Sequence, residues 1–276
     1  MDGAPLLVKT GRAIGEMAHW PARCGRAVLD LLYPPLCLNC EAAVSAADGV
    51  CARCFRQLRP ITAPLCPRLG LPFQISLGPD ALSAEAIADP PPFDRARSAV
   101  IYNDIARALV SRLKYGDRPE LASFCGRLMV SAGAELWDAA PLLVPVPLHP
   151  LRQIGRRYNQ SLELARVIAA STHLSVDPAL VRRVKRTAQQ VGLSADARAR
   201  NVAGAFLAHP EALARARGRP VVIVDDVVTT GSTVKAVTRA LRKAGIERID
   251  VVSFARVVPG SDADNHTLAA GFVGII

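Results

Sequence analysis

The chain has 276 residues, of which half are apolar, so it can bury one sizeable core together with a small appended module. Its apolar runs fall short of the roughly 18 residues that a membrane-spanning helix needs, and its N-terminus lacks the features of a secretory signal, so we expect a cytoplasmic protein without a membrane span. The formal net charge of +10 favours an anionic partner, such as a phosphorylated metabolite, nucleic acid or anionic lipid. A high arginine content set by the base composition of the genome explains the charge equally well.

Residues 1–35 predict a helical lead-in. Their apolar positions recur at mixed helical spacing, and Pro21 interrupts the pattern, so two short helices are the expected structure. The pair Pro34-Pro35 ends the helical pattern. We therefore expect a second unit to begin near residue 36.

Four of the seven cysteines form two Cys-x-x-Cys pairs. The pairs are Cys37 with Cys40 and Cys51 with Cys54, separated by ten residues. In a reducing compartment this spacing favours tetrahedral Zn²⁺ over disulfides, and four thiolate ligands make a closed, structural site. Buried free thiols or disulfides are the alternative. We predict a zinc ribbon at residues 36–76, because so short a segment builds little apolar core without a metal.

Residues 77–92 are rich in Ala and Pro and predict a linker, after which a larger domain spans residues 93–276. Short strand patterns alternate there with longer helical patterns. Predicted strands lie at 97–102, 142–146, 221–224 and 250–255, and predicted helices at 104–114, 121–135, 159–171 and 232–244. The alternation predicts an α/β fold with a doubly wound, mostly parallel sheet. No internal repeat is evident along the chain.

The most informative segment is a buried strand followed by two acidic residues, a hydroxyl-rich loop and a helix. Asp225 and Asp226 stand at the carboxyl end of the predicted strand, where parallel sheets bind ligands and where paired carboxylates can accept hydrogen bonds from ribose hydroxyls. The loop offers hydroxyls, one glycine and a helix N-terminus to a phosphate monoester; its residues are Thr229, Thr230, Gly231, Ser232 and Thr233. The alternative is a turn in which Ser232 or Thr233 only caps the helix, but that leaves the acidic pair unexplained.

Residues 221–233 resemble, along their full length, the signature of type I phosphoribosyltransferases. The resemblance implies that Asp225 and Asp226 bind the ribose 2′- and 3′-hydroxyls of phosphoribosyl pyrophosphate and orient the ribose during transfer. It also implies that residues 229–233 bind the 5′-phosphate. The pyrophosphate leaving group gathers negative charge as the glycosidic bond breaks, so cations and Mg²⁺ are expected beside it.

Two basic segments could supply those cations. One contains Arg156 and Arg157 ahead of Asn159, a predicted helix cap. The other contains Lys185 in residues 182–190, a loop able to close over a polyanion. The alternatives are a solvated helix start and an exposed basic loop. We predict that Arg156, Arg157 and Lys185 contribute to binding of phosphoribosyl pyrophosphate.

The strings VPVPLHP, RRYNQ and RTAQQVGLSADARARNVAGAF, together with the acidic-pair loop, resemble the ComF family, phosphoribosyltransferase relatives associated with DNA uptake by competent bacteria. The string Leu-Lys-Tyr at residues 113–115, where the helix predicted at 104–114 ends, also resembles a segment of that family. In one departure, Arg157-Tyr158 stands where the family more often has Gly-Phe. In another, a further Cys-x-x-Cys knuckle of the family is reduced to Cys66 with Leu69 at its second position, which argues against an additional metal site.

The resemblance implies binding of phosphoribosyl pyrophosphate with Mg²⁺ and, if the protein is an enzyme, transfer of the phosphoribosyl group to an acceptor that the sequence does not name. Two other functions remain open. One is non-catalytic handling of nucleic acid, with single-stranded DNA or DNA-uptake proteins as partners. The other is a regulator that senses phosphoribosyl pyrophosphate. Arginines surround the cysteine module, but Phe55 is the nearest aromatic residue, so base stacking there is expected to be weak.

Overall fold

The computed structural model describes residues 34–115, 119–148, 158–185, 200, 202–216 and 218–260. Nearly all of the predicted helical lead-in lies outside these residues. The strands of the central sheet are β1 (Ala96–Ile101), β2 (Leu142–Pro145), β5 (Val221–Val228) and β6 (Ile249–Arg256). They are parallel and lie in the order β1-β6-β5-β2. A separate antiparallel pair consists of β3 (Val181–Arg183) and β4 (Phe206–Ala208).

Within the described residues the structure has four α-helices where the sequence predicts them and three short α-helices that the sequence did not predict. In chain order the helices are α1 (Ala52–Gln57), α2 (Ala84–Ala88), α3 (Asp104–Tyr115), α4 (Pro119–Ala132), α5 (Gln160–Thr172), α6 (Pro210–Ala216) and α7 (Ser232–Lys243). The helix predicted at 121–135 ends at Ala132, and a 3₁₀ turn follows Gly133, where a side chain would clash with the ring of Trp137. Within the described residues, no helix has the length and apolar character needed to cross a membrane.

Apolar side chains cover both faces of the central sheet. On one face, α3 and α5 bury Leu109 and Ile168 in a cluster with Val222 of β5. On the other face, Val237 of α7 is buried in a cluster with Ile223 of the same strand. Helices on both faces of a parallel sheet confirm the predicted doubly wound α/β fold.

The cysteine-rich module has two lobes with the same backbone pattern, lobe 1 (residues 35–57) and lobe 2 (residues 64–88). An isolated antiparallel bridge closes each lobe near its start, and a short helix, α1 or α2, lies at its end. The prediction that the chain lacks an internal repeat is therefore wrong. The repeat is faint in the sequence, because the lobes share the short string Pro-Leu-Cys at 35–37 and 64–66 while their likeness otherwise lies in backbone hydrogen bonds. Helix α2 falls within residues 77–92, for which the composition predicts a linker.

Candidate functional site

The acidic pair lies inside β5 rather than after it. Strand β2 ends at Pro145, which pairs with Val224, whereas β5 continues beside β6 to Val228. Asp225 and Asp226 therefore occupy a stretch of β5 that runs beyond the end of its neighbour β2. The predicted strand end at residue 224 is corrected to 228, because pairing with β6 satisfies the backbone past the end of β2.

Both carboxylates are buried and are held by donors from other parts of the chain. Asp225 Oδ1 accepts hydrogen bonds from Ser161 Oγ at 3.2 Å and from the backbone N–H of Asp226 at 3.0 Å. Asp226 Oδ2 forms a 2.8 Å ion pair with Lys114 Nζ, and its Oδ1 accepts the backbone N–H of Val227 at 2.8 Å. Burial and the charge on Asp226 raise the pKa of Asp225 to about 7. The site therefore favours ligands that donate hydrogen bonds to these oxygens or bring a cation.

Lys114 is a site residue that the sequence did not assign. It lies near the C-terminal end of α3, and Gln160 Nε2 donates to its carbonyl oxygen at 3.4 Å. The hydroxyl of Tyr158 donates to the carbonyl oxygen of Leu113. These bonds hold the end of α3 against the start of α5 and place the ammonium beside Asp226. The sequence signal that could have identified Lys114 was the Leu-Lys-Tyr string, which resembles a segment of the family but to which no role was assigned.

The loop at residues 229–233 leads into the N-terminus of α7. Gly231 is the N-cap and has a φ of 74°, a left-handed conformation that favours glycine. Gly231 brings no capping side chain, so the alternative with Ser232 or Thr233 as N-cap is not found, and Thr230 Oγ1 accepts the Ser232 N–H at 3.4 Å. The hydroxyls of Thr230 and Ser232 lie 2.7 Å apart, and the first turn of α7 contains no acidic residue. Hydroxyls and helix N–H donors thus combine in a cradle suited to an anion.

Lys235 adds a cation to the first turns of α7. Its ammonium pairs with Asp89 at 2.6 Å, and 15% of its side chain is exposed. A Cβ on Gly231 would lie 3.7 Å from the Lys235 Cε, so the lysine stem runs close to the loop. Lys235 was not predicted from the sequence, because a lysine on an amphipathic helix is normally a solvated charge.

The predicted pyrophosphate contacts fall only partly within the described residues. Arg156 and Arg157 lie outside them. Lys185 follows β3, is exposed, and donates to the carbonyl oxygen of Ala203 at 3.3 Å. Across the ranges that the structure describes, Lys185 has this local partner and no contact with the acidic pair. Its role in ligand binding stays a prediction.

The four paired cysteines converge in lobe 1. Their Sγ atoms all lie within 4.8 Å of one another, and the four thiols are free of disulfides. The Cys51 N–H donates to Cys37 Sγ at 3.2 Å, and the Asn39 side-chain amide donates to Cys54 Sγ at 3.4 Å. Burial opposes ionisation of Cys37, but backbone N–H donors outweigh it and lower the pKa of this thiol to about 6. Four convergent sulfurs without disulfides fit a closed tetrahedral zinc site.

Two family models match the chain. A double zinc ribbon domain matches residues 28–87, and a phosphoribosyl transferase domain matches residues 146–268. The first match covers lobe 1 and lobe 2, and together with the cysteine cluster it supports structural zinc. The second match covers β5, the acidic pair and α7.

Curated proteins match most of the chain. The DNA utilization protein YhgH of Escherichia coli strain K12 is 34% identical over 238 residues, which are 83% of this chain and 100% of that protein. Competence protein F of Haemophilus influenzae is 30% identical over 230 residues, 80% of this chain and 96% of that protein. Competence protein ComFC of Bacillus subtilis strain 168 is 25% identical over 232 residues, 78% of this chain and 91% of that protein. The similarity extends through the cysteine module and the larger domain together.

Proposed function

The chain belongs to the ComF family of DNA-utilization and competence proteins, in which a double zinc ribbon precedes a phosphoribosyltransferase domain, and from this premise we propose that it binds phosphoribosyl pyrophosphate with Mg²⁺. The observation that carries the proposal is that the acidic pair and residues 229–233 lie together at the carboxyl end of β5. Ribose hydroxyls donate to the carboxylates, and the 5′-phosphate accepts hydrogen bonds from the loop and from α7.

The side chains around the acidic pair have different roles in the proposed binding. Within the described residues, the Asp225 carboxylate accepts its two hydrogen bonds at Oδ1, so Oδ2 is available to a ribose hydroxyl. Ser161 orients this carboxylate. Lys114 offsets the charge on Asp226, which lets an anionic ligand approach two acidic side chains. Each contact is set by the fold before the ligand arrives.

The acidic pair also suits the proposed metal. Its oxygens are the ligand type that Mg²⁺ prefers, and this ion usually binds through one or two carboxylates plus phosphate oxygens. When bound, Mg²⁺ would withdraw charge from a departing pyrophosphate. Whether transfer follows binding depends on an acceptor, which the fold does not specify.

Isothermal titration of the zinc-loaded, full-length protein with phosphoribosyl pyrophosphate and Mg²⁺ tests the proposal. We expect saturable binding that weakens strongly when Mg²⁺ is omitted. Pyrophosphate-release assays with nucleobases and single-stranded DNA then separate an enzyme, which shows acceptor-dependent release, from a sensor, which binds without turnover. Absence of binding would overturn the proposal and leave the loop as a scaffold only.

A second function, contact with single-stranded DNA, is favoured by the surface around α1. Phe55 is 51% exposed there, and Arg53 and Arg56 on the same helix are exposed as well. The scarcity of aromatic residues predicts weak stacking here, but one exposed ring flanked by cations is enough to stack one base while the arginines contact its phosphates. The name of one relative, the DNA utilization protein YhgH, points to DNA in the same way.

Fluorescence anisotropy with a labelled oligonucleotide tests this second function. We expect affinity to fall steeply with salt, because phosphate contacts release counterions, and to fall about tenfold in Phe55→Ala through loss of one stacked base. Ile87→Ala is the matched control, since Ile87 is 66% exposed on lobe 2 and its own helix, α2, contains no arginine. Salt-independent binding, or equal losses in both variants, would contradict DNA contact through α1.

A further inference from the structure

Lobe 2 repeats three backbone hydrogen bonds of the turn in lobe 1. Their residues recur 29 positions later: Cys37 N to Ala42 O and Cys66 N to Leu71 O, Glu41 N to Cys37 O and Gly70 N to Cys66 O, Val44 N to Pro35 O and Phe73 N to Pro64 O. The residue that turns the chain is left-handed in both lobes, with a φ of 62° at Glu41 and 65° at Gly70. Cys37 and Cys66 therefore occupy equivalent positions, and Leu69 is equivalent to Cys40.

The ends of the lobes are equivalent in the same way. Cys51 is the N-cap of α1 and donates its backbone N–H to Cys37 Sγ at 3.2 Å. Ser83 is the N-cap of α2 and donates its backbone N–H to Cys66 Sγ at 3.4 Å. Ser83 thus stands where lobe 1 has Cys51. Three residues further along each helix, Cys54 has Ala86 as its counterpart, and both side chains are buried.

The four ligand positions of lobe 2 do not fit a zinc ion. Only Cys66 has a sulfur, since Leu69 and Ala86 offer no donor atom and lie buried in an apolar cluster with Phe93. The Ser83 hydroxyl accepts a hydrogen bond from the Ala86 N–H at 3.3 Å and so caps α2. Structural zinc sites use four thiolate, imidazole or carboxylate ligands. The remaining sulfur is satisfied by the backbone N–H groups of Leu69 and Ser83.

Contacts with the central sheet support lobe 2 in place of a metal. The backbone N–H of Ala96 on β1 donates to the carbonyl oxygen of Arg68 at 2.8 Å, and Arg97 Nη1 donates to the carbonyl oxygen of Pro67 at 3.1 Å. A side chain on Gly70 would clash with the Ala96 carbonyl, so this lobe approaches the strand very closely. Lobe 2 is anchored to the larger domain along its turn.

We propose that lobe 2 is a metal-free copy of the zinc ribbon, in which Leu69, Ser83 and Ala86 replace the ligands, and hydrogen bonds to β1 together with the apolar cluster around Phe93 replace the metal. The chain then binds one zinc ion, in lobe 1, although it matches a double zinc ribbon. This inference does not depend on the proposed ligand of the phosphoribosyltransferase domain.

Zinc content of the full-length protein, measured by inductively coupled plasma mass spectrometry and by native mass spectrometry, tests the proposal. We expect one zinc per chain in the unmodified protein, one in Cys66→Ala, and none in Cys37→Ser/Cys40→Ser. Two zinc ions in the unmodified protein, or loss of zinc in Cys66→Ala, would overturn it. Because native mass spectrometry counts metal in the folded species, misfolded material does not obscure the result.

A gain-of-metal variant tests the assigned positions directly. Leu69→Cys/Ser83→Cys/Ala86→Cys restores four sulfurs around the position of Cys66, so we expect two zinc ions per chain. The matched control is Leu71→Cys/Ser83→Cys/Ala86→Cys, which adds the same number of thiols with one at a buried position outside the equivalent set, and we expect it to stay at one. A second zinc in the control as well, or none in the restored variant, would contradict the equivalence of the two lobes.

Discussion

Replacing Asp225 and Asp226 together by Asn is expected to weaken binding of phosphoribosyl pyrophosphate with Mg²⁺ by at least about 100-fold. Two charge-assisted hydrogen bonds from ribose hydroxyls and the oxygen ligands for the metal are lost together, and each such hydrogen bond contributes about 1.5–3 kcal/mol. Isothermal titration of the variant measures the effect. Asp138→Asn, at an exposed acidic position away from β5, is the matched control and should bind as the unmodified protein does. Unchanged affinity in the double variant would place the ligand elsewhere.

The thermal stability of the single variant Asp225→Asn shows whether a loss of binding comes from lost ligand contacts or from a damaged fold. Burial, then the Asp226 charge, raises the pKa of Asp225 from 3.8 to about 7, so the folded protein holds this proton more tightly than the unfolded chain does. The carboxylate therefore reduces the free energy of unfolding progressively as pH rises from about 4 to about 7, by up to about 4 kcal/mol. Asn carries no such charge. We expect the variant to melt several degrees higher than the unmodified protein at pH 8, with the difference shrinking towards pH 4.

Lys114→Gln is the contrasting variant in the same thermal melts. It removes the cation that pairs with Asp226 at 2.8 Å and leaves two neighbouring carboxylates without that compensation. Its melting temperature at pH 8 should fall rather than rise. A fall in both variants would mean that any change at this edge of the sheet disturbs packing, and the charge argument would fail.

The pattern of strands and helices in the larger domain could be predicted because apolar periodicity is a local property of the sequence. The length of β5 could not, since β6 rather than β5 itself supports the strand beyond Val224. The role of Lys114 in the site could not be predicted from the sequence for a related reason. Its partner Asp226 is distant in sequence, and only the packing of α3 beside β5 brings the two charges together.

The two lobes show where motif spacing succeeds and where it fails. Lobe 1 keeps four sulfurs, so Cys-x-x-Cys spacing predicted its cluster directly. Lobe 2 keeps one, and apart from the short string Pro-Leu-Cys that both lobes contain, its likeness to lobe 1 lies in backbone hydrogen bonds. The sequence marks Leu69 as the second position of a reduced knuckle, whereas Ser83 and Ala86 follow no cysteine spacing.

Disrupting the zinc site of lobe 1 by Cys40→Ser is expected to destabilise the protein by several kcal/mol and to lower its melting temperature by about 5 °C or more. Cys40 is exposed, so the substitution removes a ligand without opening a cavity. The cost arises because Cys37, Leu38 and Cys54 belong to the same buried cluster as α3 and α4, and without the metal their positions in that cluster are no longer fixed. Differential scanning calorimetry with added zinc measures the loss.

Hydrogen exchange locates that loss. Amide protons of lobe 1, including the Cys51 N–H that donates to Cys37 Sγ, should exchange faster in Cys40→Ser, while those of lobe 2 should stay protected because β1 rather than a metal supports them. Ala46→Ser introduces a hydroxyl at another exposed position of lobe 1 and should change neither measurement. Equal loss of protection in both lobes would mean that they unfold as one unit, and that zinc in lobe 1 supports lobe 2 through the sheet.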